Sequence, residues 1–128
     1  MGNQQILMVV VGVIIVSLAI ALGISLFAAQ QVAWNRDAMI TDLQHISLMA
    51  YQYRTNIRAL GGGQGDYTSF SIPSNMRSNG NGTYSIKDHQ VNSLTLQGIS
   101  SNNAANIIIV TVDSYGKLGD LTFEGDFK

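Results

Sequence analysis

The sequence predicts an α+β fold: one very long N-terminal α-helix, with a small antiparallel β-sheet head packed on its C-terminal half. Three observations predict it. Residues 6–29 form an almost wholly apolar run, and no Lys, Arg, Asp or Glu occurs before Arg36. From Val32 to Leu60 apolar residues recur at alternating three- and four-residue steps, the spacing of one helix face. The remainder is rich in Gly, Asn and Ser, with short β-branched runs between turn residues, the pattern of small strands. Residues 1–30 are thus read as an apolar helix half, 31–60 as an amphipathic helix half, and 61–128 as the head.

Composition narrows the function classes. A net charge of −1 argues against nucleic acid as a main partner, because neutralising phosphates needs a basic surplus. The chain has no cysteine, which excludes disulfides, zinc–thiolate sites and thiol catalysis. A head this small has a small core, so it is expected to gain support from the helix or from neighbouring copies.

The 24 residues of 6–29 make a helix of about 36 Å, enough to cross a hydrocarbon layer of about 30 Å. A cleaved secretory signal fits poorly: Met1-Gly2-Asn3-Gln4-Gln5 carries no positive charge, and the run exceeds the usual h-region. A plain single-pass anchor is the stronger rival. Against it, no Lys or Arg flanks the N-terminal side to fix orientation, and the run continues into an amphipathic helix. Small residues at four-residue steps, Ala19 and Gly23, then Ala21, Ser25 and Ala29, suit close helix packing.

The second half carries a seam of Val32, Met39, Leu43, Ile46, Ala50, Tyr53, Ile57 and Leu60, with Arg36 as its one polar member. Met39, Leu43, Ile46, Ala50, Tyr53 and Ile57 are expected to pack against the head. Gly61-Gly62-Gly63 is expected to end the helix and residues 61–65 to form a flexible link. One helix from about Asn3 to about Leu60 would be about 85 Å long. It should pass through Gly12 and Gly23 unbroken, because glycine weakens a helix yet keeps its amide donor. A coiled-coil dimer accounts only for the second half, whereas a filament cored by a bundle of such helices accounts for both.

In the head, strands are expected at 67–72, 83–87, 92–99, 106–112 and 118–124, giving a sheet of three or four strands. The segment 106–112 is the strongest, a β-branched run suited to the middle of a sheet. Turns are expected at 78–82, at 100–105 and at Tyr115-Gly116.

Catalysis finds no constellation. His45 follows Asp42 by three residues on the helix with no nucleophile nearby, and His89 sits in a turn after Asp88. Asp120, Glu124 and Asp126 lack the loop spacing of a dedicated calcium site. No cofactor, metal or catalytic residue is therefore assigned. Asn81-Gly82-Thr83 is a sequon, which makes Asn81 a candidate glycosylation site. Phe27, Trp34, Tyr51 and Tyr53 are too sparse for a continuous aromatic stack.

A charge-free apolar N-terminus, a helix of over fifty residues, a loop and a small antiparallel sheet together resemble type IV pilins and pseudopilins. The resemblance implies a structural subunit of an extracellular helical filament, used for attachment, motility or cell contact. It implies identical subunits, the assembly machinery and, before assembly, the cytoplasmic membrane as partners. Packing in the filament core would then fall to Met1, Gln5, Ile6, Val9, Gly12, Val13, Val16, Ala19, Ile20, Gly23 and Phe27. It also implies that a short basic leader has been removed ahead of Met1, with Met1 as initiator as the alternative reading. The chain departs from the family at Gln5, where a glutamate is usual, and in having no helix-breaking proline and no disulfide loop. The alternative is a membrane-anchored pseudopilin or single-pass protein whose head binds a partner.

Overall fold

In the computed structural model, which describes residues 2–128, helix α1 spans Gly2–Thr55. It passes through Gly12 and Gly23 without a break, as expected from glycine's retained amide donor. A four-stranded antiparallel sheet packs against it. The strands are β1 (Gly82–His89), β2 (Leu94–Ser100), β3 (Ile107–Val112) and β4 (Thr122–Glu124), in the order β1-β2-β3-β4. The chain divides into two units: the helix up to Ala33, and Trp34–Lys128. The amphipathic half and the head thus form one body.

Its core follows from two periodicities meeting. Along β2 the buried positions are Leu94, Leu96, Gly98 and Ser100, and along β3 they are Ile108, Val110 and Val112. The register sets Leu94 opposite Val112, Leu96 opposite Val110 and Gly98 opposite Ile108, so one sheet face is continuously apolar. The helix seam supplies Met39, Leu43, Ile46 and Ala50, all fully buried. The sheet accommodates the helix at Gly98, where a Cβ would lie 3.0 Å from Met39 Cε and 3.1 Å from the Tyr84 ring. Arg36, the polar member of the seam, lays its guanidinium over the Phe123 ring at 5.8 Å. Such stacking explains why a cation is tolerated there.

The helix ends five residues earlier than the seam suggests, and the Gly-rich segment is no flexible link. It folds back and caps the helix end. Gly63 N–H donates to the Tyr53 carbonyl at 2.7 Å, Gly65 N–H to Arg54 at 2.6 Å, and Gln64 N–H to Asn56 at 2.9 Å. The carbonyls that would continue α1 are therefore taken by the loop. A Cβ at residue 63 would stand 2.0 Å from the Asp66 carbonyl oxygen, so glycine is required by close approach. Ile57, expected on the core seam, lies beyond this cap and is 54% exposed, and Leu60 is 76% exposed.

Residues 67–72 form no strand. Asp66 accepts a hydrogen bond from Thr68 N–H at 2.8 Å, and Phe70 N–H donates to the Tyr67 carbonyl at 3.0 Å. This local turn outcompetes extension. Tyr67, Phe70 and Ile72 are nevertheless buried, and Phe70 packs on the half-buried Tyr53 at 5.5 Å between ring centroids. The last strand is shorter than the 118–124 expected. Leu118 makes a single bridge to Val112, and pairing resumes at Thr122.

Candidate assembly surface

Every large apolar side chain from Ile6 to Phe27 is 46–76% exposed, in a helix whose own backbone bonds are closed. The Ser17 hydroxyl, in the middle of the run, donates to the Val13 carbonyl at 2.8 Å. Its polarity is thus spent inside the helix. The segment is long and apolar enough to cross a membrane. A surface of this kind has only three stable surroundings: lipid, detergent or other apolar protein.

At about 100° per residue, Gln5, Val9, Gly12, Val16, Ala19 and Gly23 fall on one stripe. Ile6, Val13, Ile20 and Phe27 lie on its flank. All ten are exposed and share a sector of about 140°. Met1 lies outside the described residues. The rest of the circumference is just as apolar. Beside the Gly12 edge of the stripe, Leu7, Met8, Val11 and Ile15 border the notch left by the missing side chain of Gly12. These four are not among the core residues expected from the sequence, because a segment apolar all round gives no periodic signal that favours one face over another.

Within the second unit, the head is fastened to the helix by three polar side chains, each on a different turn. Asn35 is 9% exposed. Its Nδ2 donates to the Asn81 carbonyl at 2.9 Å, and its Oδ1 accepts from the Ser100 hydroxyl. Asp42 Oδ2 accepts three hydrogen bonds, from the Tyr84 hydroxyl, from Asn79 Nδ2 at 2.9 Å and from Asn81 Nδ2 at 3.1 Å. Arg54 donates to the Ser114 carbonyl at 2.8 Å and to Asn92 Oδ1 at 2.9 Å, and its guanidinium lies over the Tyr67 ring.

The Asp42 carboxyl carries the electrostatics of this clasp. Burial pushes its pKa up, but the donors from Tyr84, Asn79 and Asn81, with the nearby His45, outweigh burial and hold it below the ordinary carboxylate value. Burial and the Asp42 carboxylate together push the Tyr84 phenol far up. At neutral pH the pair is therefore a carboxylate and a neutral phenol. The Asn81 amide nitrogen, which a glycan would occupy, is one of the donors on Asp42, so the sequon side chain is committed to holding the fold.

His45 and His89 are exposed, far apart in sequence, and belong to different elements. His89 shares a hydrogen bond with the Phe70 carbonyl at 3.0 Å. Among the described residues no three His, Asp or Glu side chains gather as a metal site would require. Asp120, Glu124 and Asp126 are all exposed.

The fold and these surfaces define an α+β protein with one long N-terminal helix and a four-stranded antiparallel sheet packed on it. No family model, curated protein or solved structure matches the chain.

Proposed function

We propose that this chain is the structural subunit of an extracellular, type IV pilus-like helical filament, self-assembling through its apolar N-terminal helix for attachment, motility or cell contact. The observation that carries the reading is the sixteen large apolar side chains from Ile6 to Phe27, all exposed on one charge-free helical segment. Fully burying such a side chain contributes about 1.5–3 kcal/mol. Sixteen of them, each half covered, contribute about 12–24 kcal/mol, which matches or exceeds an association cost of about 4–15 kcal/mol. The head contributes the water-soluble exterior, since its polar clasp and closed core leave no comparable apolar run. Identical copies are the partners, with the cytoplasmic membrane and the assembly machinery acting before the subunit leaves the bilayer.

A second reading is favoured by one specific observation. The same segment qualifies as a membrane span by length and composition, and a membrane-anchored pseudopilin or single-pass protein would keep it in lipid. Electron microscopy of material sheared from cells separates the two. Thin filaments containing this chain support the first reading. Recovery of the chain only as detergent-extracted monomers supports the second.

A further inference from the structure

Two Asn-Gly pairs stand side by side in the turn that enters β1, Asn79-Gly80 and Asn81-Gly82. They are alike in sequence and opposite in environment. Asn79 and Gly80 are exposed, and among the described residues the Gly80 N–H donates to no partner. Gly82 is buried as the first residue of β1, and its N–H donates to Asn79 Oδ1 at 3.1 Å. Asn79 Oδ1 also accepts from the Asn81 N–H at 2.8 Å, while Asn79 Nδ2 donates to Asp42 Oδ2 at 2.9 Å.

We propose that Asn79 is a site of spontaneous deamidation, and that the modification loosens the clasp between the β1 turn and helix α1. The Gly80 amide nitrogen attacks Cγ of Asn79, forming a C–N bond. The Asn79 Cγ–Nδ2 bond breaks, and the amide proton lost by Gly80 leaves with Nδ2 as ammonia. Water then opens the cyclic imide at either carbonyl, giving aspartate or isoaspartate. No electrons are gained or lost, and solvent water is the only co-reactant.

Three features place the reaction at Asn79. Glycine at 80 presents no Cβ to hinder attack. Its N–H is free to become the nucleophile. Two N–H groups already point at Oδ1, where negative charge gathers in the tetrahedral adduct, and so they stabilise it. At Asn81 the corresponding nucleophile, the Gly82 nitrogen, is buried and hydrogen-bonded at the start of β1.

The product matters because of what it faces. Deamidation replaces a donor with a carboxylate opposite the Asp42 carboxylate, at a separation where like charges repel strongly. Isoaspartate also lengthens the main chain by one methylene within a turn that sets the register of β1. The site does not depend on whether the chain forms filaments.

The full-length chain in detergent micelles, held at mildly alkaline pH and mapped by peptide mass spectrometry, tests the proposal. A gain of about one dalton is expected at residue 79, accumulating about tenfold or more faster than at residue 81, because only residue 79 combines a free nucleophile with a polarised carbonyl. Gly80→Ala, whose Cβ meets nothing within 4 Å, should keep the fold and slow the reaction at 79 by about tenfold. Asn79→Asp should lower the melting temperature of the head, and Asp42→Asn should remove most of that loss. Equal or faster modification at residue 81 would overturn the site. A melting temperature unchanged by Asn79→Asp, or lowered equally with and without Asp42, would overturn the consequence.

Discussion

Tyr84, buried on β1, donates its phenolic hydrogen to Asp42 Oδ2 on helix α1. This bond crosses from sheet to helix at the centre of the clasp, and it fixes the charge state of both groups. Asp42→Ala would leave the buried phenol and two amides without an acceptor, costing about 1–3 kcal/mol at neutral pH. The pH dependence follows from the depressed pKa. A carboxyl whose folded pKa lies below its ordinary 3.8 binds fewer protons folded than unfolded through that interval. Its contribution is therefore complete above the ordinary value and is lost as pH falls through the folded one. Urea denaturation followed by near-ultraviolet circular dichroism should show the gap between wild type and variant closing below pH 3.8. A gap that stays constant through acid pH would contradict the assignment.

Gly63, like Gly62, has no room for a side chain in the helix cap. Gly63→Ala places a Cβ 2.0 Å from the Asp66 carbonyl oxygen and 2.8 Å from the Tyr53 ring, and overpacking of this kind costs about 1–3 kcal/mol. Thermal unfolding of the variant should show that loss, whereas Gly80→Ala should leave the melting temperature unchanged.

Leu43 and Ile57 share the helical seam in sequence and part company in the fold. Leu43→Ala should cost about 2–5 kcal/mol, the usual range for truncating a buried leucine. Ile57→Ala, beyond the helix cap and exposed, should stay within about 0.5 kcal/mol of wild type. Comparable losses at both positions would mean that Ile57 has a partner outside the isolated chain.

Gln5 tests how the apolar helix docks. An unpaired carboxylate in an apolar bundle carries a penalty of several kcal/mol, so Gln5→Glu should leave filament yield unchanged or reduce it. A clear gain in sheared filaments would show that a charge pair at this position drives docking.

The helix, most of its seam and the four strands were legible from apolar periodicity and turn residues, although the last strand is shorter than expected and the strand expected at 67–72 does not form. Met39, Leu43, Ile46 and Ala50 sit at seam spacing and are buried, and the β-branched run of β3 lies inside the sheet. The polar half was not legible. Asp42 and Asn35 are not members of the apolar seam, and nothing local in the sequence says that Asn79, Asn81, Tyr84 and Ser100 arrive opposite them. Long-range hydrogen bonds leave no period. The helix end was misplaced for a related reason: the seam continues to Leu60, but glycines further along return to claim the carbonyls of Tyr53 and Arg54. On the apolar segment, periodicity is silent by nature, since a helix apolar all round presents no preferred face.

The central claim is that residues 2–33 are covered by copies of the same helix. A single nitroxide at Val16→Cys, unambiguous in a chain with no native cysteine, tests it most directly in sheared cell-surface material. Burial among neighbouring helices predicts an immobilised label, shielded both from a water-soluble relaxation agent and from oxygen dissolved in lipid. Strong relaxation by oxygen, with the label mobile and the material banding with membranes, would contradict the account.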